Sequence, residues 1–168
     1  MVDTRMQTLL KRPLTFLSIV SCLLFFTLSP LYAGAEKEMK GWGVDDEYNK
    51  LYSSKELDKL KGTVVKFKKV QPLPGMSKAT VLVLDEGGDE IMVHLCPVWF
   101  ASAKKTGIKR GDKVKVKGSW AEIDGEDVFM ASKVKKGDFY EFKVRLTKDG
   151  TPFWTMSAEQ LAHERSQQ

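Results

Sequence analysis

The chain has 168 residues, enough for one domain and too few for two of ordinary size. Residues 36–168 keep 24 of the 27 Lys+Arg and 21 of the 22 Asp+Glu, a net charge of +3 that is weak for a nucleic-acid binder. Within these residues Cys96 is the single cysteine, which excludes an intramolecular disulfide there. A domain of this size buries enough apolar surface to fold without one.

The first 35 residues have the layout of a secretory signal peptide. A head with three basic residues precedes an apolar run over 14–31, and Ala-Gly-Ala at 33–35 is a small-x-small cleavage pattern. We therefore expect a periplasmic protein whose mature N-terminus is Glu36. Two alternatives stay open: the run is retained as a membrane anchor, since its length is near the span limit, or the chain is lipidated at Cys22.

Residues 36–60 are polar with isolated aromatic side chains, and we interpret them as an N-terminal arm that packs on the domain. Within the arm, Tyr48, Leu51 and Tyr52 have the i, i+3, i+4 spacing of one helix face. This spacing predicts a short helix in the arm.

From Lys61 onward apolar residues alternate with polar ones, and this period of two predicts strands. A proline-containing loop at 71–78 and a tight turn at 86–89 separate the first three strands. Pro97 is placed as the first residue of a helix between the third and fourth strands, and Gly107 ends that helix. The five strands are predicted over 61–70, 79–85, 90–96, 113–120 and 126–135.

The order strand, strand, strand, helix, strand, strand is that of a five-stranded OB-fold-like Greek-key barrel, so the predicted fold class is mostly β. A C-terminal hairpin is predicted after the barrel, with arms over 139–146 and 151–155. The expected organisation is a signal peptide at 1–35, the arm at 36–60, the barrel with its hairpin at 61–156 and a polar tail at 157–168.

Met92, His94 and Cys96 alternate along the third predicted strand, and an unbroken strand places them on one face. Thioether, imidazole and thiolate ligands suit a soft metal such as copper(I), which makes these three residues a candidate metal site. Same-face neighbours in a strand lie about 6.5–7 Å apart, which is too far for ideal chelation without distortion. The alternative is that His94 orients the arm by a hydrogen bond and Cys96 is an inert small apolar residue.

Outward-pointing lysines on the first, fourth and fifth predicted strands form a candidate basic patch. The first and fourth strands are neighbours in an OB barrel, so such a patch suits an acidic partner, phosphate groups or anionic lipid. The alternative is a solvated outer face that discourages edge pairing. The patch consists of Lys66, Lys68, Lys113, Lys115, Lys117, Lys133 and Lys135.

Two function classes are disfavoured by what the sequence lacks. OB folds bind single strands through the outer face of strands two and three, where aromatic side chains stack on bases. Residues 79–96 contain no Phe, Trp, Tyr, Arg or Lys, so nucleic acid is an unfavoured partner. No Gly-x-Ser-x-Gly, phosphate-binding glycine loop or metalloprotease helix occurs, and we expect no enzyme activity.

Four segments carry a resemblance to a known family. They are residues 41–52 (GWGVDDEYNKLY), residues 61–65 (KGTVV), Val93-His94-Leu95 with Pro97 and Trp99, and residues 111–114 (GDKV). Together they resemble exported bacterial OB-like proteins that include the domain shared by the magnetosome proteins MamS and MamX, a group often labelled loosely as DNA-binding.

The resemblance covers about residues 41–155 and implies an extracytoplasmic accessory module near iron or electron-transfer chemistry, with no known catalysis. The chain departs from the family at two points. Cys96 stands where the family pattern has glycine, and no Cys-x-x-Cys-His motif for haem attachment occurs, so direct haem redox work is not implied.

The sequence therefore predicts a non-catalytic extracytoplasmic binding or accessory module without a cofactor. Its expected partner is another extracytoplasmic protein, and the membrane is contacted only through an uncleaved or lipidated N-terminus. Two alternatives stay open: a periplasmic soft-metal (copper) protein that uses His94 and Cys96, and an OB protein that binds nucleic acid or oligosaccharide.

Overall fold

Alternating apolar residues form six strands in the computed structural model, which describes residues 39–166. The predicted signal peptide and the alternatives at Cys22 lie outside the described residues. The described helices are α1 (Glu47–Lys50) in the arm and α2 (Ala158–Ser166) at the C-terminal end. The strands are β1 (Asp58–Val70), β2 (Ala79–Glu86), β3 (Asp89–Pro97), β4 (Lys113–Ile123), β5 (Glu126–Lys136) and β6 (Tyr140–Lys143).

The strands form one mostly antiparallel sheet in the order β3-β2-β1-β4-β5-β6. In addition, β3 pairs with β5 in parallel at Val93–Phe129 and His94–Met130. The pairings therefore run in a ring through β1 to β5, and β6 extends the sheet from β5. The mostly β class and the five predicted strands are confirmed, with strand ends within three residues of the prediction.

β1 holds the ring together because it pairs with β4 along its first half and with β2 along its second half. Thr63 is shared, opposite Lys113 of β4 and Asp85 of β2. Gly62 precedes this change of partner, and a Cβ there would lie 2.1 Å from the Asp85 carbonyl oxygen. Only glycine lets the two backbones approach this closely without displacement.

The core lies inside the ring and is built from alternate residues of the strands. Leu60, Val116 and Val134 are almost completely buried and stand opposite one another on β1, β4 and β5. Residues 79–84 of β2 are buried without interruption, the pattern of a strand covered on both faces.

The predicted α-helix between the third and fourth strands is not confirmed. Pro97 is the last residue of β3, a single turn follows it, and a four-residue 3-10 helix spans Ala103–Thr106. The Ala101 carbonyl explains the difference, because it accepts hydrogen bonds from the Thr80 hydroxyl at 2.7 Å and from the Cys96 thiol at 3.6 Å. The backbone N–H of Lys105 bonds to Ser102 instead, which gives the tighter 3-10 geometry.

The predicted C-terminal hairpin forms only in part. β6 pairs with β5, and the chain reverses between Leu146 and Thr151, but a single bridge from Arg145 to Pro152 replaces the second pair of strands. Pro152 has no N–H to extend a ladder, and a 3-10 turn follows at once. Among residues 39–166, no helix is long and apolar enough to cross a membrane.

The N-terminal arm packs on the strands through Trp42, which is fully buried. Its indole N–H donates to the Ser77 carbonyl at 3.2 Å and lies 3.0 Å from the Ser77 hydroxyl. Its ring meets Tyr48 and Trp154 edge to face, with centroids 4.9 and 5.5 Å apart. Trp154 Nε1 donates to the Trp42 carbonyl at 2.9 Å, so the arm also holds the C-terminal part of the domain.

Replacing Trp42 with alanine should therefore destabilise the whole domain. We expect Trp42→Ala to lower the free energy of unfolding by about 3–5 kcal/mol, because it removes a buried indole and leaves a cavity. The matched control is Val44→Ala, at a half-exposed position in the same arm. This substitution should change the free energy of unfolding by less than about 0.5 kcal/mol. Urea denaturation of both variants measures the difference, and equal small changes would show that the arm is not part of the cooperative core.

Candidate functional site

The predicted metal residues lie on β3 at different depths. His94 and Cys96 are buried, and Met92 is half-buried with its sulfur 3.8 Å from Lys68 Nζ. His94 pairs with Val81 and Cys96 with Thr80, so a bulge at Leu95 interrupts the ladder between them. The argument that alternate residues share one face assumed an unbroken strand, and the bulge removes that assumption at this position.

His94 contacts the arm directly. The Tyr48 hydroxyl lies 3.2 Å from His94 Nδ1, and the two rings are stacked with centroids 6.1 Å apart. Burial lowers the pKa of His94 to about 4 and raises the pKa of Tyr48, so both groups are neutral at pH 7. The tautomer that keeps its proton on Nε2 accepts the Tyr48 O–H at Nδ1.

Cys96 is held in its thiol form. Burial raises its pKa to about 12, and the thiol donates a hydrogen bond to the Ala101 carbonyl. Thiolate, not thiol, is the form that attacks electrophiles and ligates metals. Within residues 39–166 there is no group of three or more His, Cys, Asp and Glu side chains arranged to hold a metal ion.

Arg145 is a buried cation that the sequence analysis did not single out. Its guanidinium donates to the Asn49 side-chain oxygen at 2.7 Å and to the Gly150 carbonyl at 3.4 Å. It also lies over the rings of Tyr52 and Trp154, 5.1 and 4.7 Å from their centroids. These neutral partners tie the arm, the chain reversal and the C-terminal turn together. The sequence signal was weak: one arginine between Val144 and Leu146.

A row of lysines on one side of the sheet is the second candidate site. Lys61 of β1 stands opposite Lys115 of β4, which stands opposite Lys135 of β5. Two residues away along each strand, a second row of opposed lysines runs from β1 through β4 and β5 to β6. Residues directly opposite one another in an antiparallel pair, and residues two apart in one strand, share a face. This lysine face consists of Lys59, Lys61, Lys113, Lys115, Lys117, Lys133, Lys135 and Lys143.

The structure brings together the five predicted patch residues of β4 and β5. Lys66 and Lys68 lie elsewhere, in the half of β1 that pairs with β2, and Lys66 Nζ is 3.8 Å from Glu90. Sequence reasoning missed Lys59, Lys61 and Lys143. Lys59 precedes the predicted first strand, which was expected to begin at 61 and begins at Asp58. Lys61 is out of phase with Lys66 and Lys68, because a bulge between Val64 and Lys66 shifts the alternation of β1.

Glu141 is the acidic centre of the lysine face. Its carboxylate forms ion pairs with Lys135, Lys133 and Lys143 at 3.0, 3.2 and 3.5 Å. Partial burial alone would raise its pKa, but hydrogen bonds from Lys135 and Lys133 lower it. Lys115 and Lys135 line two open clefts in the face of about 420 and 340 Å³.

Comparison with known proteins assigns the chain to a family. The MamS/MamX magnetosome protein family matches residues 56–140. The chain belongs to this family. The resemblance read from the sequence is thereby confirmed. No curated protein matches the chain.

The part that matches the MamS/MamX family contains β3 with His94 and Cys96 and seven of the eight lysines of the lysine face. The arm with Trp42 and Tyr48, and the C-terminal part with Arg145 and Trp154, lie outside the matched residues. The buried histidine is therefore inside the family region, while the tyrosine that contacts it is outside.

The buried neutral His94 should make the domain less stable in weak acid. Its pKa in the folded chain is about 4, below its ordinary value of 6.5, so the unfolded state takes up a proton first as the pH falls. The contribution of neutral His94 to the free energy of unfolding is fully present above pH 6.5 and is lost as the pH falls toward 4. From pH 7 to pH 5, protonation of this group in the unfolded state should lower the free energy of unfolding by about 2 kcal/mol.

Urea denaturation at pH 7 and 5 measures this loss in wild type, in His94→Gln and in His163→Gln, a control on the exposed face of α2. The His94→Gln protein should lack about 2 kcal/mol of the pH dependence, and His163→Gln should behave as wild type. If wild type and His94→Gln lose stability equally, the imidazole is not buried in its neutral form.

The soft-metal hypothesis for Met92, His94 and Cys96 stays a prediction. It predicts that copper(I) or zinc binds wild type with an affinity that rises with pH as the thiol deprotonates. It also predicts that His94→Ala and Cys96→Ser lose this binding in calorimetry. Equal weak binding by all three proteins would leave His94 and Cys96 with only their structural roles.

Proposed function

We propose that this chain is a non-catalytic extracytoplasmic binding module with an accessory role in magnetosomes, serving proteins that handle iron or electrons. The observation that carries the proposal is membership of the MamS/MamX family over residues 56–140. The exported location rests on the signal-peptide pattern of residues 1–35.

The architecture that we propose for the module is an OB-fold-like Greek-key barrel. The ring of pairings β1-β2-β3-β5-β4 and back to β1 supports it, since a closed five-stranded sheet in this order is the OB arrangement. β6, α1 and α2 are additions to that ring. Fold alone does not identify a ligand, so the functional argument depends on the sites.

The state of His94 and Cys96 supports a non-catalytic module. A nucleophile–base pair requires a reactive thiolate or hydroxyl within reach of an accessible base. Here the thiol is protonated and bonded to the Ala101 carbonyl, and the imidazole is neutral and contacts Tyr48. The sequence also contains no Cys-x-x-Cys-His motif, so in this proposal a partner supplies any redox group.

The described residues disfavour nucleic acid as the partner. The rows of the lysine face contain no aromatic side chain on which bases would stack. OB folds hold single strands on the outer face of their second and third strands, but here residues 79–84 of β2 are buried and residues 79–96 include neither a basic nor an aromatic residue. We expect no salt-sensitive binding of single-stranded DNA at physiological ionic strength.

Cell fractionation and gene deletion in the source organism test the proposal. The chain should be recovered with the envelope or magnetosome fraction, and a deletion strain should form magnetosomes of altered size or number. A plasmid that encodes wild type should restore them, and so should one that encodes His94→Gln, because the module performs no chemistry at His94. Recovery in the cytoplasm, or normal magnetosomes in the deletion strain, would contradict the proposal.

A further inference from the structure

We propose that the lysine face, together with Phe139 at its edge, is a docking surface for an anionic phospholipid bilayer. This inference goes beyond the accessory role and does not depend on it. The sequence left anionic lipid open as one of three partners for the predicted basic patch; the structure changes the residues of that surface and adds Phe139 to it.

Charge is strongly segregated on the described residues. The lysine face carries eight lysines and two acids, Glu141 in its rows and Asp138 in one of its clefts, a net charge of +6. The rest of residues 39–166 carries fifteen Lys+Arg against seventeen Asp+Glu, a net charge of −2. The modest overall charge therefore conceals one strongly positive side. Such a side orients the molecule toward a negatively charged surface before contact.

The kind of cation on this face indicates what it binds. All eight are lysines, whose ammonium groups act as hydrated point charges on flexible stems, whereas arginine forms the fixed bidentate contacts of a specific site. The two clefts between them are open rather than enclosed. A cluster of this size without a built pocket fits diffuse attraction to many headgroups better than capture of one small anion.

Phe139 supplies the apolar half of the surface. Its side chain is completely exposed, more so than any other large apolar side chain that the structure describes. It lies in the turn between β5 and β6, two residues before Glu141. Its neighbours Gly137 and Asp138 line the same cleft as Lys61 and Lys115, so the turn adjoins the lysine face.

The combination of Phe139 with the lysines distinguishes a bilayer from other polyanions. A bilayer offers phosphate charges for the lysines and an acyl region into which a phenyl ring inserts, and both contribute to binding. An acidic protein or a nucleic acid also offers negative charges and can contact an exposed ring, but neither offers an acyl region into which the ring inserts. A preference for anionic vesicles that depends on both the lysines and Phe139 is therefore the property expected of a bilayer.

Vesicle sedimentation with the full chain, as the cell processes it, tests the proposal. The vesicles are phosphatidylcholine alone and phosphatidylcholine mixed with phosphatidylglycerol, so that any insertion of the N-terminal segment is common to both. The variants are Lys113→Gln with Lys115→Gln on the face, Phe139→Ala at its edge, and the matched control Lys66→Gln with Lys68→Gln. Circular dichroism establishes that each variant is folded.

We expect wild type to prefer the anionic vesicles and to lose that preference as salt is raised. The Lys113 and Lys115 double variant should bind them about tenfold or more weakly, since each lysine near an anionic surface contributes roughly a fivefold factor. Phe139→Ala should also bind them more weakly, and the Lys66 and Lys68 control should stay close to wild type.

Three outcomes would overturn the proposal. Wild type binds the two vesicle types equally, or the two double-lysine variants lose the same amount of binding, or Phe139→Ala binds anionic vesicles as wild type does. A parallel titration with poly-glutamate identifies the alternative. Tight binding to poly-glutamate, without any preference for anionic vesicles, would assign the lysine face to an acidic protein.

Discussion

The register of β1, β4, β5 and β6 is the constraint on which the rest of the molecule depends. The apolar row Leu60, Val116, Val134 and Phe142 runs across these four strands, one residue from each, and its burial fixes the register. Because the side-chain period is two, fixing this row sends the neighbouring residues to the opposite face. Those neighbours are the lysines, so the same hydrophobic pairing that forms the core also aligns the charges in rows.

Aligned lysines have a cost in stability, since like charges directly opposite in a sheet repel. Glu141 offsets part of it by bonding to lysines of its own strand and of β5. Lys61, Lys115 and Lys135 stand directly opposite one another on three adjacent strands, and Glu141 follows in this row only on β6. A sheet that only had to fold would gain from alternating signs at these positions. The retained repulsion is consistent with a surface whose charge is used.

The strands could be predicted from the sequence because a period of two is a local signal. Strands β2 to β5 begin and end close to where this alternation begins and ends. Contacts between distant segments could not be predicted in this way. The Ala101 carbonyl accepts hydrogen bonds from Thr80 and Cys96, and no residue near Pro97 indicates that an α-helix does not form there. Arg145 finds its oxygen partner 96 residues away on Asn49, and Trp154 donates to Trp42 across 112 residues.

The candidate sites could be predicted only in part for the same reason, because contacts between distant segments cannot be read from local spacing. The lysines of β4 and β5 alternate visibly, and the structure places them together. Lys66 and Lys68 alternate as clearly, but β1 changes partner at Thr63, so these two accompany β2 instead of β4. The spacing of His94 and Cys96 predicts an unbroken alternation, while the bulge between them and the contact with Tyr48 are not encoded in that spacing.

The chemistry of β3 is therefore set by a segment outside the strand. His94 lies within the region that matches the MamS/MamX family, and Tyr48, which contacts its ring, belongs to the arm outside it. Desolvation is what depresses the pKa of His94, and the stacked ring of Tyr48 contributes to that desolvation. An exposed neutral histidine beside a cysteine thiolate offers two metal ligands, whereas a buried histidine that contacts a tyrosine is a structural element. The arm thus helps to determine how far His94 is exposed, and the soft-metal hypothesis for this strand depends on whether a metal ion can displace the contact between Tyr48 and His94.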